Sequence, residues 1–363
     1  MKKRIVWVTG DYFIDVDMPI VPHLCREYDI EWIIIRGQDE KIEVPTSCDG
    51  CDIHTYQMSF RRRDIRCISF YARIARRIKA FNPDIIYIDA VEMPYLYPVF
   101  DFYLPRHKMV HAAHNVVSYP GWPHRRMNEM YIKYIFGNHK NFHIFSQHTR
   151  AVFEQLYSGK NILCTPLSLK DYGTPSPSAS LDDEKVKFLF FGNFRHNKRP
   201  DVLLQAFARL PIELRNKAHL SVMGSCDNTE PYMPLVKELG DSVTFVPTRI
   251  PDEDVADIFA SHHYLVLPYE NVAQSGPHMI AYNYNVPVIA TRIDGFVEHV
   301  TDGYDGYLFD VNNVDSLAEV LKRVINNGNE EYNVLCDNLK HTIAQKYSSA
   351  AILDNYKHYF DAL

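Results

Sequence analysis

Short apolar runs recur along the chain, separated by segments of helical periodicity. In the first half the runs fall at 4–9, 30–35, 84–88, 109–113, 142–145 and 162–165, each rich in Val, Ile and aromatic residues. Between them lie periodic stretches such as 19–28 and 149–157. Runs this short and this uniformly apolar read as strands buried on both faces, so the alternation predicts a parallel sheet covered by helices on both sides. Beyond residue 185 the same alternation returns, with strands at 187–191, 220–223, 243–246, 264–268, 286–290 and 307–309 and helices at 201–210, 252–261 and 315–326. Leu203, Phe207 and Leu210 share one face of the first of these helices, and Pro251 stands at the start of the second.

The break between the halves is SLKDYGTPSPSASLDDEK, residues 168–185, which has almost nothing to bury and reads as a linker. The pattern therefore predicts an α/β chain of two doubly wound domains, 1–167 and 186–346, facing across a cleft. The closing stretch, about 347–363, is expected to be a helix that packs back on the first domain. A length of 363 residues suits two such domains. No apolar run approaches the ~18 residues of a membrane span. The opening MKKRIVWVTGDYF meets Gly10-Asp11 too soon for a signal peptide, which implies a cytoplasmic protein. A net charge of −6 excludes a globally basic nucleic-acid binder. The 7 cysteines are scattered and odd in number, which argues against a disulfide framework and for a reducing compartment. Cys48 and Cys51, with His54 nearby, lack the second ligand pair of a structural zinc site and read as a loop with two ordinary thiols. No metal requirement is expected.

Residues 61–81 read as a basic amphipathic helix. At 100° per residue Arg62, Arg66, Arg73, Arg76 and Arg77 gather on one side, and Ile65, Ile68, Ala72 and Ala75 on another. Such a face is either solvated or attracted to an anionic membrane surface. Arg125, Arg126 and Lys133 are candidates to extend it.

Two stretches carry candidate chemistry. In the first, the strand FLFFGN runs into Phe194-Arg195-His196-Asn197-Lys198-Arg199-Pro200, which places Arg195 and Lys198 just beyond the carboxyl end of a parallel strand. Ligands of α/β sheets bind there, and two cations would neutralise a diphosphate and its charge as leaving group. The second is YLVLPYENVAQSGPHMIAYNYNVPVIATRIDGFVEHV, a strand, a small-residue turn at Gln274-Ser275-Gly276-Pro277, a helix and a further strand. The turn aims backbone N–H groups and the positive helix end at an anion, or is simply a serine cap with proline in the first turn.

The order FGNFRHNKRPDVLLQAF, VLPYENVAQSGPHMIAYNYNVPVIAT, DGFVEHVTDGYDGYLF resembles the carboxyl-terminal half of the retaining glycosyltransferases of family 4, over residues 187–326. The resemblance implies the GT-B fold, with two Rossmann-like domains, and a nucleotide-diphosphate sugar as donor substrate with no other cofactor. It puts Lys198 at the diphosphate-binding lysine and Asn193, after Gly192, where an arginine usually stands, with Arg195 supplying the lost charge. Val272 and Ile280 fall where the family has its two glutamates. The sequence thus resembles a branch with a Pro-Tyr, then a Gln-Ser-Gly loop, in which Gln274, Ser275 and Gly276 take contacts to the diphosphate and Glu270 reaches a sugar or ribose hydroxyl. Glu298 matches the family's Gly-x-x-Glu, although a carboxylate at a helix start would look the same. In the first domain His114 stands where a histidine lies close to the donor sugar, and Gly10 where a glycine lies on the acceptor side.

The expected activity is transfer of a sugar from a nucleotide diphosphate to a hydroxyl of a glycan or lipid-linked glycan, with retention at the anomeric carbon, in cell-surface polysaccharide synthesis. The alternatives are a nucleotide-sugar epimerase on the same fold and a noncatalytic nucleotide-sugar-binding module. The absence of G-x-G-x-x-G after either first strand argues against a dinucleotide-dependent oxidoreductase.

Overall fold

The computed structural model describes residues 2–38, 44–45, 47, 50–90, 93–117, 125–179 and 184–363; Cys48 and residues 180–183 of the expected linker lie outside them. The chain divides into two units, Met1–Ser168 with Ser348–Leu363, and Leu169–Tyr347.

The first unit is a seven-stranded sheet of β1 (Arg4–Gly10), β2 (Asp29–Arg36), β3 (Cys51–Gln57), β4 (Ile85–Asp89), β5 (Met109–Ala112), β6 (Asn141–Ile144) and β7 (Asn161–Cys164), in the order β3-β2-β1-β4-β5-β6-β7. All its pairings are parallel. Side chains alternate between faces at the strand period of two. Val6 and Val8 pack with Ile33, Ile35 and the buried face of α1 (Cys67–Phe81), namely Phe70, Tyr71, Ile74 and Ile78. Ile5 and Trp7 pack on the other face with Trp32, Tyr87 and the C-terminal helix Ser349–Ala362, through Ile352, Tyr356 and Phe360.

Three sequence expectations change here. β3 was expected to be a loop, yet it pairs with β2 from Ile30↔Cys51 to Arg36↔Gln57. Its half-exposed polar pattern is that of an edge strand, which carries no continuous apolar run to reveal it. Cys51 is disulfide-bonded to Cys25, 26 residues away, with Cα atoms 5.7 Å apart. Spacing alone did not pair them, because the turn into β2 brings them together, and the cysteines no longer argue for a reducing compartment. Finally, α1 begins at Cys67 and not at Arg61, leaving Ile65 and Ile68 at 68% and 41% exposure. Arg62 pairs with the buried carboxylate of Asp11 at 2.7 Å, Arg66 with Asp64 at 2.7 Å, and Arg77 with buried Glu31 at 2.6 Å. Of the five arginines assigned to a membrane-facing set, Arg73 and Arg76 are the exposed pair without a carboxylate partner among the described residues.

The second unit is a six-stranded parallel sheet of β8 (Val186–Phe191), β9 (Ala218–Met223), β10 (Val243–Val246), β11 (Tyr264–Leu267), β12 (Val288–Thr291) and β13 (Gly306–Phe309), in the order β10-β9-β8-β11-β12-β13. Helices α2 (Pro200–Ala208), α3 (Asp252–Ala260), α4 (Gly276–Asn283) and α5 (Asp294–Val297) connect its strands, and α6 (Val314–Lys346) closes it. α6 runs 20 residues past the expected end at 326, broken by Gly328 at φ 72°. The polar run Asn326-Asn327-Gly328-Asn329 hid this continuation. Residues 168–179 have no regular structure but are strapped to the unit: Lys170 N–H donates to Met279 O, Tyr172 N–H to the Tyr284 hydroxyl, and Ser176 to Asp257. Among the described residues no helix is long and apolar enough to cross a membrane.

Candidate nucleotide-sugar site

The second sheet reverses its winding between β8 and β11, and the carboxyl edge at such a switch point is where α/β sheets bind ligands. β8 is followed by Gly192, with φ +117°, whose N–H donates to Met223 O at 3.0 Å. Gly224, after β9, has φ +140°, and a Cβ there would lie 2.1 Å from Gly192 O. Only two glycines let these strand exits meet backbone to backbone. The chain then makes a short 3-10 turn, His196–Lys198, and enters α2 through Arg199 in the left-handed conformation, φ 48°. Arg199 is held by Asp201 at 2.8 Å and by Asn312. Lys198 has no such partner: no carboxylate among the described residues pairs with it. Its ammonium stands 5.3 Å from the centre of the Tyr269 ring and 2.9 Å from where a Cβ on Gly192 would be. Burial first, and then the Arg195 charge, lower its pKa to about 8. Asn193 and Arg195 are exposed.

The loop after β11 is stitched to this one. Glu270 N–H donates to Asn197 O at 2.8 Å, and the Asn197 side-chain amide donates to Asn271 O at 3.0 Å. Tyr269 is buried, its carbonyl accepting from the Thr291 hydroxyl at 2.6 Å. Buried Ser275 caps α4 by accepting from His278 N–H at 3.4 Å, and Pro277 occupies the first turn. The loop is seated from below at Gly295, where a Cβ would lie 2.1 Å from Val272 O. Gly192, Asn193, Arg195, Lys198, Glu270, Gln274, Ser275 and Gly276 thus lie on two linked loops at one sheet edge. Val272 is half-buried and Ile280 sits in the core at 4% exposure, so neither offers a polar atom to a sugar. Glu298 follows the next strand, β12, at the C-terminal end of α5 and not at a helix start; its carbonyl accepts from Lys346 at 3.5 Å.

In the first unit His114 follows β5, stacked between Phe13 (3.9 Å, 7° between planes) and Phe145 (4.4 Å, 20°). Its Nε2 lies 2.8 Å from Asp89, which ends β4 beside β1. A second buried carboxylate, Asp17, accepts from the Thr9 hydroxyl at 2.6 Å, and burial followed by the Asp89 charge pushes its pKa well up. Gly10 allows β1 to approach the exit of β4, its Cβ position 3.6 Å from Ala90 Cα. Asp89 and Phe13 were not singled out from the sequence. The one signal for Asp89 is an acidic residue ending an apolar strand.

Metal-ligating types cluster at Glu31, Asp52 and His54, but the Arg77 guanidinium already bridges Glu31 and His54. Two Asp-x-Asp spacings occur, Asp15/Asp17 and Asp252/Asp254, and both lie in helical turns.

Two parallel-sheet Rossmann-like domains in this order define the GT-B fold. The chain superposes on sucrose-phosphate synthase from Thermosynechococcus elongatus with a TM-score of 0.78 over 100% of both chains, at 17% identity. It superposes on Anabaena HepE, solved with UDP and glucose, with a TM-score of 0.77 over 99% of this chain and 100% of that one, at 14% identity. Within that fold, residues 171–341, which lie in the second unit, match the family described as Glycosyl transferases group 1. A curated relative, the D-inositol 3-phosphate glycosyltransferase of a Nocardioides species, is 28% identical over 174 residues, 44% of this chain and 38% of that protein. The match spans less than half the length of this relative.

Proposed function

We propose that the chain is a retaining glycosyltransferase that moves a sugar from a nucleotide diphosphate to a hydroxyl of a glycan or lipid-linked glycan, in the synthesis of a cell-surface polysaccharide. The observation that carries this reading is Lys198, a half-buried cation without a carboxylate partner among the described residues, at the β8/β11 switch point beside the Ser275-capped start of α4. A cation already stripped of part of its water pays little further desolvation to meet a phosphate, and it gains most as charge builds on the leaving diphosphate. Arg195, on the same loop, adds a second charge. Glu270 and Ser275 serve the donor's hydroxyls and phosphates in place of the paired glutamates. His114, oriented by Asp89, serves the donor sugar, and Gly10 lies on the acceptor side. The exposed Arg73 and Arg76 supply the charge for an anionic membrane surface that carries the acceptor.

A panel of nucleotide-diphosphate sugars tests the reading, with release of nucleotide and the anomeric configuration of the product as readouts. Lys198→Ala is expected to lower kcat/KM roughly 100-fold or more, in the range of losing one oxyanion donor. Release of an altered free sugar without any acceptor would identify an epimerase. Binding without turnover would identify the noncatalytic module, which the apolar Val272 and Ile280 favour.

A further inference from the structure

Arg199 is the single residue between the 3-10 turn that carries Lys198 and the helix α2, and it stands in a conformation that its own sequence opposes. At φ 48° and ψ 47° it is left-handed, a region that glycine and asparagine visit but long side chains seldom do. It also precedes Pro200, whose ring pushes the residue before it toward extended backbone. The helix side of this joint is fixed: Pro200, Val202, Leu203 and Phe207 are buried, and Val202 N–H donates to Arg199 O at 3.0 Å. A return of Arg199 to an ordinary conformation therefore swings the other side, the turn His196–Lys198, out of place.

The Arg199 side chain holds the joint. Its guanidinium forks onto Asp201, Nε to Oδ1 at 3.0 Å and Nη2 to Oδ2 at 2.8 Å, and its Nη1 donates to the Asn312 side-chain oxygen. Bidentate pairing of this kind is both strong and directional. Asp201 lies in the first turn of α2, where the helix dipole also favours a carboxylate. Asn312, itself left-handed at φ 56°, belongs to the turn between β13 and α6. The clamp thus ties the start of α2 to the loop after β13. Across the joint, the Lys198 ammonium stands 5.3 Å from the centre of the Tyr269 ring and 2.9 Å from the Cβ position of Gly192.

We infer that Arg199 is a positioning residue of the diphosphate site: clamped by Asp201 and Asn312 in the left-handed conformation, it turns Lys198 onto the anion without touching the anion itself. The inference rests on the donor reading above.

The test is calorimetric binding of UDP, GDP and ADP, each beside its nucleoside, to the full chain and to its variants. Arg199→Ala removes the clamp but keeps the cost of left-handed backbone. It is expected to weaken the diphosphate Kd roughly tenfold, as for loss of one charge-assisted hydrogen bond, and to leave the nucleoside Kd unchanged. Arg199→Gly removes the same charge yet adopts the conformation freely, so it should recover most of that loss. In a Lys198→Ala background, Arg199→Ala should weaken the diphosphate Kd no further. Asn312→Gly keeps both the Arg199 charge and its own left-handed turn, and should weaken diphosphate binding alone by roughly threefold; it carries the test if Arg199→Ala does not fold. Equal weakening by Arg199→Ala and Arg199→Gly, or a further loss in the Lys198→Ala background, would make Arg199 a charge on the anion and overturn the inference. Equal loss for diphosphate and nucleoside would assign a structural role and overturn it too, as would undiminished diphosphate binding by Arg199→Ala. If the unmodified chain binds none of the three diphosphates, the donor reading falls and the inference with it.

Discussion

Lys198 titrates near the conditions of an ordinary assay. With its pKa lowered to about 8 in the free protein, part of the population is neutral just above neutrality. A bound diphosphate favours the charged form and raises that pKa, so binding takes up a proton at pH above about 8. Diphosphate affinity should therefore be flat below that point and weaken by up to about tenfold per pH unit above it. Lys198→Arg, always charged, should bind with little change between pH 7 and 9. A wild-type Kd that stays constant over that interval would show that Lys198 does not meet the anion. Lys198 could be picked out of the sequence because the strand and turn that carry it are continuous in the chain. Asp89 could not, because what gives it its meaning is a residue 25 positions away, His114.

Elements built on buried apolar runs were legible in the sequence to within a residue or two at most ends, as at buried β11, Tyr264–Leu267. β3 was not, since an edge strand half in water needs no apolar run, and the true start of α1 was hidden because its arginines share a periodicity that contacts later divide. Arg77 sits at the helical spacing of Arg73 but turns inward to Glu31. That division makes the membrane proposal specific. Binding to vesicles containing phosphatidylserine should weaken with salt and with Arg73→Glu and Arg76→Glu together, at about 1 kcal/mol per lost basic residue. Arg77→Glu would act instead by destabilising the β2–α1 packing. Vesicle binding indifferent to Arg73 and Arg76 would remove the membrane surface from the proposal. The neighbouring helix Leu96–Tyr103 presents Phe102 at 82% exposure, an apolar side chain suited to the same surface.

Across the whole molecule, buried neutral histidines tie stability to acid. Burial lowers His143 to about 3 in the first unit, and His262 and His299 to about 4 in the second. Each binds a proton more readily unfolded, at its ordinary pKa of about 6.5, than folded. Their contribution is complete above that value and is lost as pH falls toward the folded pKa, at about 1.4 kcal/mol per group per pH unit. The urea midpoint should drop clearly from pH 7 to pH 5 and the transition in both units should move; a midpoint unchanged over that range would contradict the burial of these rings. The two-unit plan was legible because each unit repeats strand and helix around its own apolar sheet. The firm attachment of 168–179 was not, because hydrogen bonds from Pro- and Ser-rich chain leave no hydrophobic signature. The connectivity bears on biosynthesis. Trp7 and Tyr87 stack at 3.8 Å on the face that Tyr356 and Phe360 cover. A nascent chain has made the first sheet and the entire second unit before those two rings leave the ribosome, so an aromatic face waits uncovered throughout translation and a chaperone that shields it would raise the yield of folded protein.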